Sequence, residues 1–299
     1  MSKIKDYGCL SGITSDDLVV GARIEKNSKK ESPLDFALWK RTDEGINWLS
    51  PWGRGRPGWH TECCVMIDSI FGSKIDIHGG GYDLKFPHHE NEIAQTEAMH
   101  HHKIANIWMH NAFININDEK MSKSLGNVIY AKDLINQYGG NVARLVILNT
   151  HYRMPVSFKD DTLHAAEQTL TKIETAYKQL ALALQKNDAN LSKGKPSYIN
   201  AFLLALADDL NTANALAEMF NVIKEANQAL RTRDLDLVKL NDLFKTLTDI
   251  INLLGLNITY IKLNDEDKAL LRQFDEARAN KNFEESDRIR KILLEKGIL

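Results

Sequence analysis

The sequence predicts an α/β fold over the first half of the chain and an all-helical bundle over the second half. Between residues 61 and 115, helix-like, strand-like and glycine-rich segments alternate in the order of a parallel α/β sheet. After Arg153 the apolar residues recur at spacings of three and four, which is the period of an amphipathic helix. These two patterns predict a mixed region of strands and helices that is followed by helices alone.

The α/β part is predicted from apolar runs and from the glycines between them. In chain order we expect a helix over 61–71, a strand over 74–78, a glycine turn over 79–81, a helix over 90–100 and a buried strand over 107–115. Ahead of these, residues 1–57 combine short β-like runs at 18–24 and 36–39 with charged turns. The string WGRGRPGW at 52–59 contains too much glycine and proline for the interior of a helix.

The second half is predicted from apolar stripes that are separated by polar segments. We expect helices over 163–185, 199–230 and 235–254, a polar loop over 186–197, and a charged helical pair from 265 to 299 that breaks at 281–282. Each stripe needs a partner that covers its apolar face, so the longer helices predict a bundle.

Composition and charge exclude several classes of protein. The chain has 299 residues, of which 43% are hydrophobic and 26% are charged, as in ordinary globular proteins. Its formal net charge of −2 gives no overall attraction to nucleic acid, so any RNA contact must use local basic patches. No apolar run reaches the length of a membrane span, and three cysteines without a disulfide pattern fit a reducing cytoplasm.

A first constellation of candidate metal ligands combines Cys63 with His88 and Glu92. His88 and Glu92 are four residues apart in the string HHENE, at a predicted helix start, so both side chains project from one face. Thiolate, imidazole and carboxylate are ordinary zinc ligands, and a site with three of them leaves a position open for a substrate. From the residues alone, a partly exposed His pair and a core cysteine are also ordinary explanations. The competing ligands are Cys64, His89 and Glu90.

A second constellation is the string KMSKS at 120–124. Its two lysines, Lys120 and Lys123, flank small and hydroxyl-bearing residues and would neutralise the phosphates of a nucleotide as point charges. An exposed charged loop is the plainer alternative.

A third constellation lies upstream. The glycines at 79–81 follow a predicted strand and lie between His78 and Asp83, where a ligand is able to approach the backbone closely.

Five strings, taken in this order, resemble the cysteinyl-tRNA synthetases, a family of class I aminoacyl-tRNA synthetases. They are GRPGWHTECC at 55–64, HGGGYDLKFPHHENEIAQTEA at 78–98, KMSKSLGN at 120–127, HYRMPVSF at 151–158 and DDLNTANALA at 208–217. The resemblance implies the second half of a class I Rossmann-type catalytic domain, followed by a helical-bundle tRNA-binding domain. It divides the chain into a connective region (1–57), the second Rossmann half (58–160), a helical bundle (161–258) and a C-terminal helical segment of an anticodon-reading module (259–299).

The resemblance also implies an activity and a role for individual residues. It implies ATP-dependent activation of L-cysteine and transfer to tRNA(Cys), with Mg²⁺ accompanying ATP and one Zn²⁺ binding the substrate thiolate. Because a thiolate binds zinc far better than a hydroxyl does, serine would be rejected without editing. The implied residues are Cys63, His88 and Glu92 for the metal, Trp59 and Asp83 for the substrate cysteine, His78, Gly80 and Lys123 for ATP, and Lys120 and Lys123 for catalysis.

The chain departs from the family pattern at both ends. A HIGH-type motif is absent, and Cys9 does not stand in the context of the fourth zinc ligand of the family, because YGCLSG resembles a later insertion. The last residues, 296–299, stop short of the final strands expected of the anticodon-reading module. We therefore expect a fragment, a split gene product or a truncated sequence that is inactive on its own, and a separate chain that supplies the first Rossmann half is one of these alternatives.

Three other interpretations remain open. The related ligase that joins cysteine to an amino sugar in mycothiol synthesis resembles the same core, but the helical extension after Asp161 argues against it. A non-catalytic tRNA-binding or partner-binding remnant is favoured by the missing HIGH half and disfavoured by the retention of Cys63, His88, Glu92 and Lys123. A simple scaffold of α/β and helical parts would leave the five strings unexplained.

Overall fold

The computed structural model describes Ile4 and residues 6–13, 30–31, 35–117, 119–122 and 126–299. The chain divides into two compact units, Met1–Phe113 and Ile114–Leu299, which are described separately. The β-like run predicted at 18–24 lies outside the described residues, as does Lys123. Across the described ranges, none of the helices has the length and apolar character needed to cross a membrane.

A short antiparallel hairpin opens the first unit. Its strands are β1 (Trp39–Arg41) and β2 (Gly55–Pro57), with Lys40 opposite Arg56. Gly55 is required at this place because a Cβ there would lie 2.3 Å from the carbonyl oxygen of Lys40. The β-like run predicted at 36–39 therefore contributes only its last residue to a strand.

The α/β order predicted for the first unit is confirmed. Helix α1 (Trp59–Phe71) precedes strand β3 (Ile75–Gly81), and helix α2 (Glu90–His100) precedes strand β4 (Ala105–Asn111). Strands β3 and β4 pair in parallel, from Ile75 opposite Ala105 to Gly81 opposite Asn111. Ile93 and Ile104 form the small core beneath them.

Two details of this prediction are wrong. The glycines expected as a turn at 79–81 belong to β3, because they pair in register with residues 109–111 of β4 and a backbone ladder needs no side chain. The strand expected over 107–115 is interrupted, since β4 ends at Asn111 and β5 (Ile114–Ile116) begins in the second unit.

The second unit begins with a small sheet and two short helices. Strand β5 pairs in parallel with β7 (Val156–Phe158) and in antiparallel with β6 (Glu119–Lys120). Helices α3 (Ala131–Tyr138) and α4 (Gly140–Leu148) lie between β6 and β7 in the chain.

The predicted helical bundle is confirmed. Its helices are α5 (Asp160–Lys186), α6 (Asn200–Ala207), α7 (Thr212–Ala229), α8 (Leu237–Leu253), α9 (Asp265–Ala279) and α10 (Phe283–Glu295). The apolar stripes of α5, α7 and α8 share one core, in which Tyr177 stacks on Phe244 with 4.9 Å between the ring centroids. The charged pair α9 and α10 has a smaller core of its own around Phe274 and Ile289.

The single helix predicted over 199–230 is wrong, because the chain breaks between α6 and α7. Asp209 and Leu210 have φ angles of 53° and 54°, in the left-handed region. Asn211 then caps α7 by accepting a hydrogen bond from the backbone N–H of Asn214 at 3.1 Å. A side chain that competes for backbone donors in this way favours a cap over a helix interior.

Candidate metal and substrate site

The segment between β3 and α2 brings the candidate ligands together. A turn at Tyr82–Leu84 and a wide turn at Lys85–His89 lead into α2. The side chains of His88 and Glu92, which are four residues apart, meet with 2.8 Å between His88 Nε2 and Glu92 Oε1. The spacing argument from the sequence is therefore confirmed, although His88 lies just before the helix begins.

Cys63 completes this group from the neighbouring helix α1. Its Sγ lies 3.6 Å from Nε2 of His88. One donor atom from each of Cys63, His88 and Glu92 lies within 4.8 Å of the others, which is the clustering required of metal ligands. His88 and Glu92 are buried, whereas Cys63 is half-buried at the open side of the group.

The chemistry of this donor set fits a divalent cation. Among the described residues, neither carboxylate oxygen of Glu92 has a hydrogen-bond donor in bonding alignment, although both are fully buried. Their neighbours at 2.8 and 3.1 Å are the Nε2 atoms of His88 and His78. Buried acceptors without donors are costly, and a cation coordinated by them would remove that cost. Thiolate, imidazole and carboxylate are together a donor set that suits zinc.

Glu92 also belongs to a second group of possible ligands. His78, His89 and Glu92 each place one donor atom within 4.8 Å of the others. His89 contacts His110 as well, with 2.8 Å between His89 Nδ1 and His110 Nε2. The structure thus joins His78, predicted from the sequence as an ATP ligand, to the carboxylate of the metal group.

The titration behaviour of the group reflects its burial and its converging donors. Burial, with the charge of Glu92 second, raises the pKa of the Cys63 thiol to about 11. Burial acts to raise the pKa of Glu92 too, but its interactions with His78, His88 and His89 outweigh this and hold that pKa below its usual range. Burial lowers the pKa of His88, so its imidazole is neutral and able to act as a ligand.

His60 and Trp59, at the start of α1, orient the His88 ring. His60 Nδ1 lies 2.8 Å from His88 Nδ1, and the Trp59 ring lies over His88 with 4.2 Å between the centroids. Burial, followed by the charge of His88, lowers the pKa of His60 to about 4, so His60 is a neutral partner. If His88 donates its Nδ1 proton to His60, its Nε2 keeps a lone pair directed at Cys63 and Glu92. The string WHTEC contained His60, but nothing in the sequence indicated this contact.

Glu90 and Asn91 hold a loop instead of a ligand. The Glu90 carboxylate accepts hydrogen bonds from the backbone N–H groups of Gly8, Leu10 and Ser11 at 3.1, 2.7 and 2.6 Å. Asn91 accepts a hydrogen bond from the Tyr7 hydroxyl at 2.7 Å. Of the competing ligands, Glu90 is thus occupied by residues 8–11. Sequence reasoning missed this role, because the two segments are far apart in the chain.

Cys64 and His89, the other competing ligands, do not belong to the group formed by Cys63, His88 and Glu92. Cys64 Sγ lies 3.6 Å from the backbone carbonyl of Glu92, where its thiol donates a hydrogen bond. His89 belongs to the group around His78. These positions favour Cys63 and His88 over their sequence neighbours.

The predicted substrate and nucleotide residues of the first unit lie around the same segment. Asp83 is exposed on the turn that follows β3. Gly80 serves the packing of the site, since a Cβ at this position would lie 2.9 Å from Cε1 of His89. A glycine is therefore needed here for the close approach of an imidazole, which the sequence alone did not indicate.

The KMSKS string belongs to the second unit. Lys120 ends β6 with its side chain exposed, and Lys123 lies outside the residues that the structure describes. Asn127 ties the two ends of the loop, because its amide donates to the Lys120 carbonyl at 3.3 Å and its oxygen accepts from the Ser122 backbone N–H at 2.9 Å. The loop thus has a closing residue that the sequence analysis did not single out.

Residues 1–168 match the family described as the tRNA synthetases class I (C) catalytic domain, which is more than half of the chain. The chain belongs to this family. Residues 201–259 match the family described as the DALR domain, and this match covers nearly all of α6 and the whole of α7 and α8.

Curated relatives agree with this class I synthetase family. The chain is 44% identical over 306 residues to the cysteine–tRNA ligase of Halalkalibacterium halodurans, covering 99% of this chain and 66% of that protein. It is 45% identical over 307 residues to the cysteine–tRNA ligase of Oceanobacillus iheyensis, covering 98% of this chain and 65% of that protein. The chain therefore spans just under two thirds of the length of these relatives.

A solved structure shares the fold of this class I chain at low identity. It is the ternary complex of the Agrobacterium radiobacter K84 LeuRS with tRNA and LeuAMS, at a TM-score of 0.51 and 14% identity. The match covers 69% of this chain and 31% of the LeuRS chain. This similarity supports the predicted fold class, a class I catalytic α/β part followed by helices.

Proposed function

We propose that this chain carries the cysteine-recognising part of a cysteine–tRNA ligase. The observation that carries the proposal is the convergence of Cys63, His88 and Glu92, with both Glu92 oxygens buried and without aligned donors among the described residues. Relatives that cover nearly all of the chain are named cysteine–tRNA ligase, which supports this activity over the alternatives considered from the sequence.

Cys63, His88 and Glu92 would hold one zinc ion. Bound there, zinc supplies a soft Lewis-acidic centre whose remaining position takes the thiolate of a substrate cysteine. The half-buried Cys63 marks the open side of the group. His60 keeps the His88 ring in one tautomer, and Glu92 supplies the negative charge.

Trp59 and Asp83 would position the rest of the amino acid. Trp59 is more than half exposed and lies over His88, so its ring can form one wall beside a ligand on the metal. Asp83, on the turn between β3 and the His88 segment, is a carboxylate able to pair with the ammonium group.

The activation step would use ATP·Mg²⁺ and the lysines of the KMSKS loop. The cysteine carboxylate attacks the α-phosphorus, the bond to the bridging oxygen breaks, and pyrophosphate leaves. Lys120 and Lys123 would neutralise charge on the phosphates, so catalysis is mainly positioning and electrostatics. We propose the backbone at Gly80 and the ring of His78 as further ATP contacts. In the second step the cysteinyl group passes to the 3′-terminal adenosine of tRNA(Cys).

A comparison of two amino acids tests this proposal. Titration of the zinc-loaded chain with L-cysteine and with L-serine should show tight binding of cysteine alone, because only the thiolate is a good zinc ligand. Cys63→Ala should abolish the preference, whereas Cys64→Ala, the matched neighbour, should keep it. Equal affinities for both amino acids in the unaltered chain would contradict the proposal.

A further inference from the structure

The second group of possible ligands, formed by His78, His89 and Glu92, has the donor atoms of a cation site of its own. One atom from each side chain lies within 4.8 Å of the others. Glu92 and His89 are buried, and the side chain of His78 is 14% exposed, so the group has one partly open side. Two imidazoles and one carboxylate are a recurrent ligand set for divalent transition metals, with further positions left for water.

The two carboxylate oxygens of Glu92 face different groups. Oε1 lies 2.8 Å from Nε2 of His88, and Oε2 lies 3.1 Å from Nε2 of His78. A zinc ion bound beside His88 would take up Oε1 and leave Oε2 fully buried, without an aligned donor among the described residues. This remaining acceptor is costly until a cation or a proton lies between it and His78.

His89 is held in the way that a ligand histidine is usually held. Its Nδ1 lies 2.8 Å from Nε2 of His110 on β4, so its Nε2 remains available as a ligand atom. A ligand histidine typically donates its other ring N–H to a fixed acceptor, which sets its tautomer. His88 of the first group has the same arrangement, with 2.8 Å between its Nδ1 and Nδ1 of His60. Each group therefore contains one buried imidazole that a further histidine orients.

The sheet fixes the other parts of the second group. His78 on β3 is opposite Trp108 on β4, and their ring centroids are 4.7 Å apart. Gly80 follows two residues later on the same face of β3, and it leaves room for His89, because a Cβ there would lie 3.2 Å from His89 Nε2. Side chains that are already held in place lose little conformational entropy when they bind an ion.

We propose that His78, His89 and Glu92 form a second cation site, which shares the Glu92 carboxylate with the first and binds a divalent transition-metal ion such as Co²⁺ or Fe²⁺. The second site contains no thiolate, and two dications joined by one carboxylate repel each other. It is therefore the weaker site and fills only after the group that contains Cys63 holds zinc. The inference goes beyond the proposed function, which needs the first site alone, but the order of filling rests on that function.

Cobalt spectroscopy on the zinc-loaded full chain tests the second site. Added Co²⁺ should bind at about one ion per chain and give weak visible bands only, because zinc already occupies the Cys63 thiolate. On the metal-free chain, the first Co²⁺ should add the ultraviolet charge-transfer band of a cobalt–thiolate bond, and the second Co²⁺ should not increase it.

Substitutions in each group should separate the two sites. His89→Gln should abolish the second cobalt and keep the thiolate band of the first, and that band also shows that the variant is folded. Cys63→Ala should remove the thiolate band and keep the visible bands of the second site. His110→Phe, which removes the partner of His89, should lower the affinity of the second site by about 10- to 100-fold, whereas His164→Phe, on the exposed face of α5, should leave it unchanged.

Two outcomes would overturn the inference. One is a zinc-loaded chain that binds no Co²⁺, since a proton on Nε2 of His78 would then satisfy Oε2 of Glu92. The other is a second cobalt that survives His89→Gln, because the ion would then bind elsewhere on the chain. A metal-free chain whose only cobalt lacks the thiolate band and is lost in His89→Gln would support the second ligand group and contradict the proposed function alone.

Discussion

Both groups of candidate metal ligands, Cys63, His88 and Glu92 and His78, His89 and Glu92, share the carboxylate of Glu92. Glu92 lies next to His88 on one side and next to His78 on the other, and His89 shares the second group. Its negative charge is therefore the centre of both possible ligand sets. The thiol of Cys63 belongs to only one of these sets.

At the residue scale, His60 offers a test of positioning. His60→Phe keeps a ring against Phe36 and Trp59, whose centroids lie 5.4 and 5.8 Å from that of His60, but removes the Nδ1 partner of His88. Loss of such a supporting contact typically lowers metal affinity by about 10- to 100-fold. Zinc affinity measured by chelator competition should fall to that extent, while His164→Phe, on the exposed face of α5, should leave it unchanged. Equal affinities in the two variants would show that His60 does not orient His88.

At the scale of an element, β3 offers a matched pair of glycines. Gly80→Ala places a Cβ 2.9 Å from His89 Cε1, whereas Gly79→Ala places it 3.6 Å from the nearest atom, the Met109 carbonyl oxygen. Overpacking of this kind costs about 1–3 kcal/mol. Urea unfolding should show that loss for Gly80→Ala and little change for Gly79→Ala. Similar stabilities of the two variants would mean that His89 moves freely, contrary to its packed position.

The contribution of Asp209, at the break between α6 and α7, to the stability of the fold should depend on pH. Hydrogen bonds from Arg153 and then Tyr152 lower the pKa of Asp209 from 3.8 to about 2. A folded-state pKa below the unfolded one stabilises the fold above the unfolded value, and this contribution is lost as the pH falls through the folded value. Asp209→Asn should therefore flatten the fall in melting temperature between pH 3.8 and about 2, while Asp234→Asn, in the loop after α7, should not. Identical acid profiles for the Asp209 variant and the unaltered chain would contradict this.

The elements show what local patterns predict well and what they miss. The stripes of α5 and α8 predict helices to within a few residues, because a helix with one apolar face has a regular period. The break at Asp209 was missed, although the residue that caps the next helix, Asn211, follows two positions later in the sequence. The contact of Asp209 with Arg153 at 3.1 Å joins residues more than fifty positions apart, so it has no local signal. The glycines of β3 were read as a turn because their pairing with β4 is equally non-local.

Across the whole molecule, the convergence of Cys63, His88 and Glu92 was more predictable from the sequence than the contacts that hold these side chains in place. The motif strings predict Cys63, His88 and Glu92 as ligands, and the structure brings donor atoms of these three side chains within 4.8 Å of one another. Their role as ligands remains a prediction. The supporting contacts join segments that are distant in the chain, and they involve Glu90, His60 and Gly80. Such contacts leave no regular spacing of residues in a single sequence, so they could not be predicted from it. The division of the chain into two units, after Phe113, was not visible in composition either. The domain boundaries inferred from the resemblance remain a prediction.

The zinc content of the purified chain tests the central claim most directly. We expect about one zinc per chain, measured by atomic emission. The zinc should be lost in Cys63→Ala, His88→Ala and Glu92→Ala and retained in Cys64→Ala, whose thiol points to the Glu92 carbonyl. A folded chain without zinc, or zinc that survives all three substitutions, would contradict the metal site and the recognition of cysteine that we build on it.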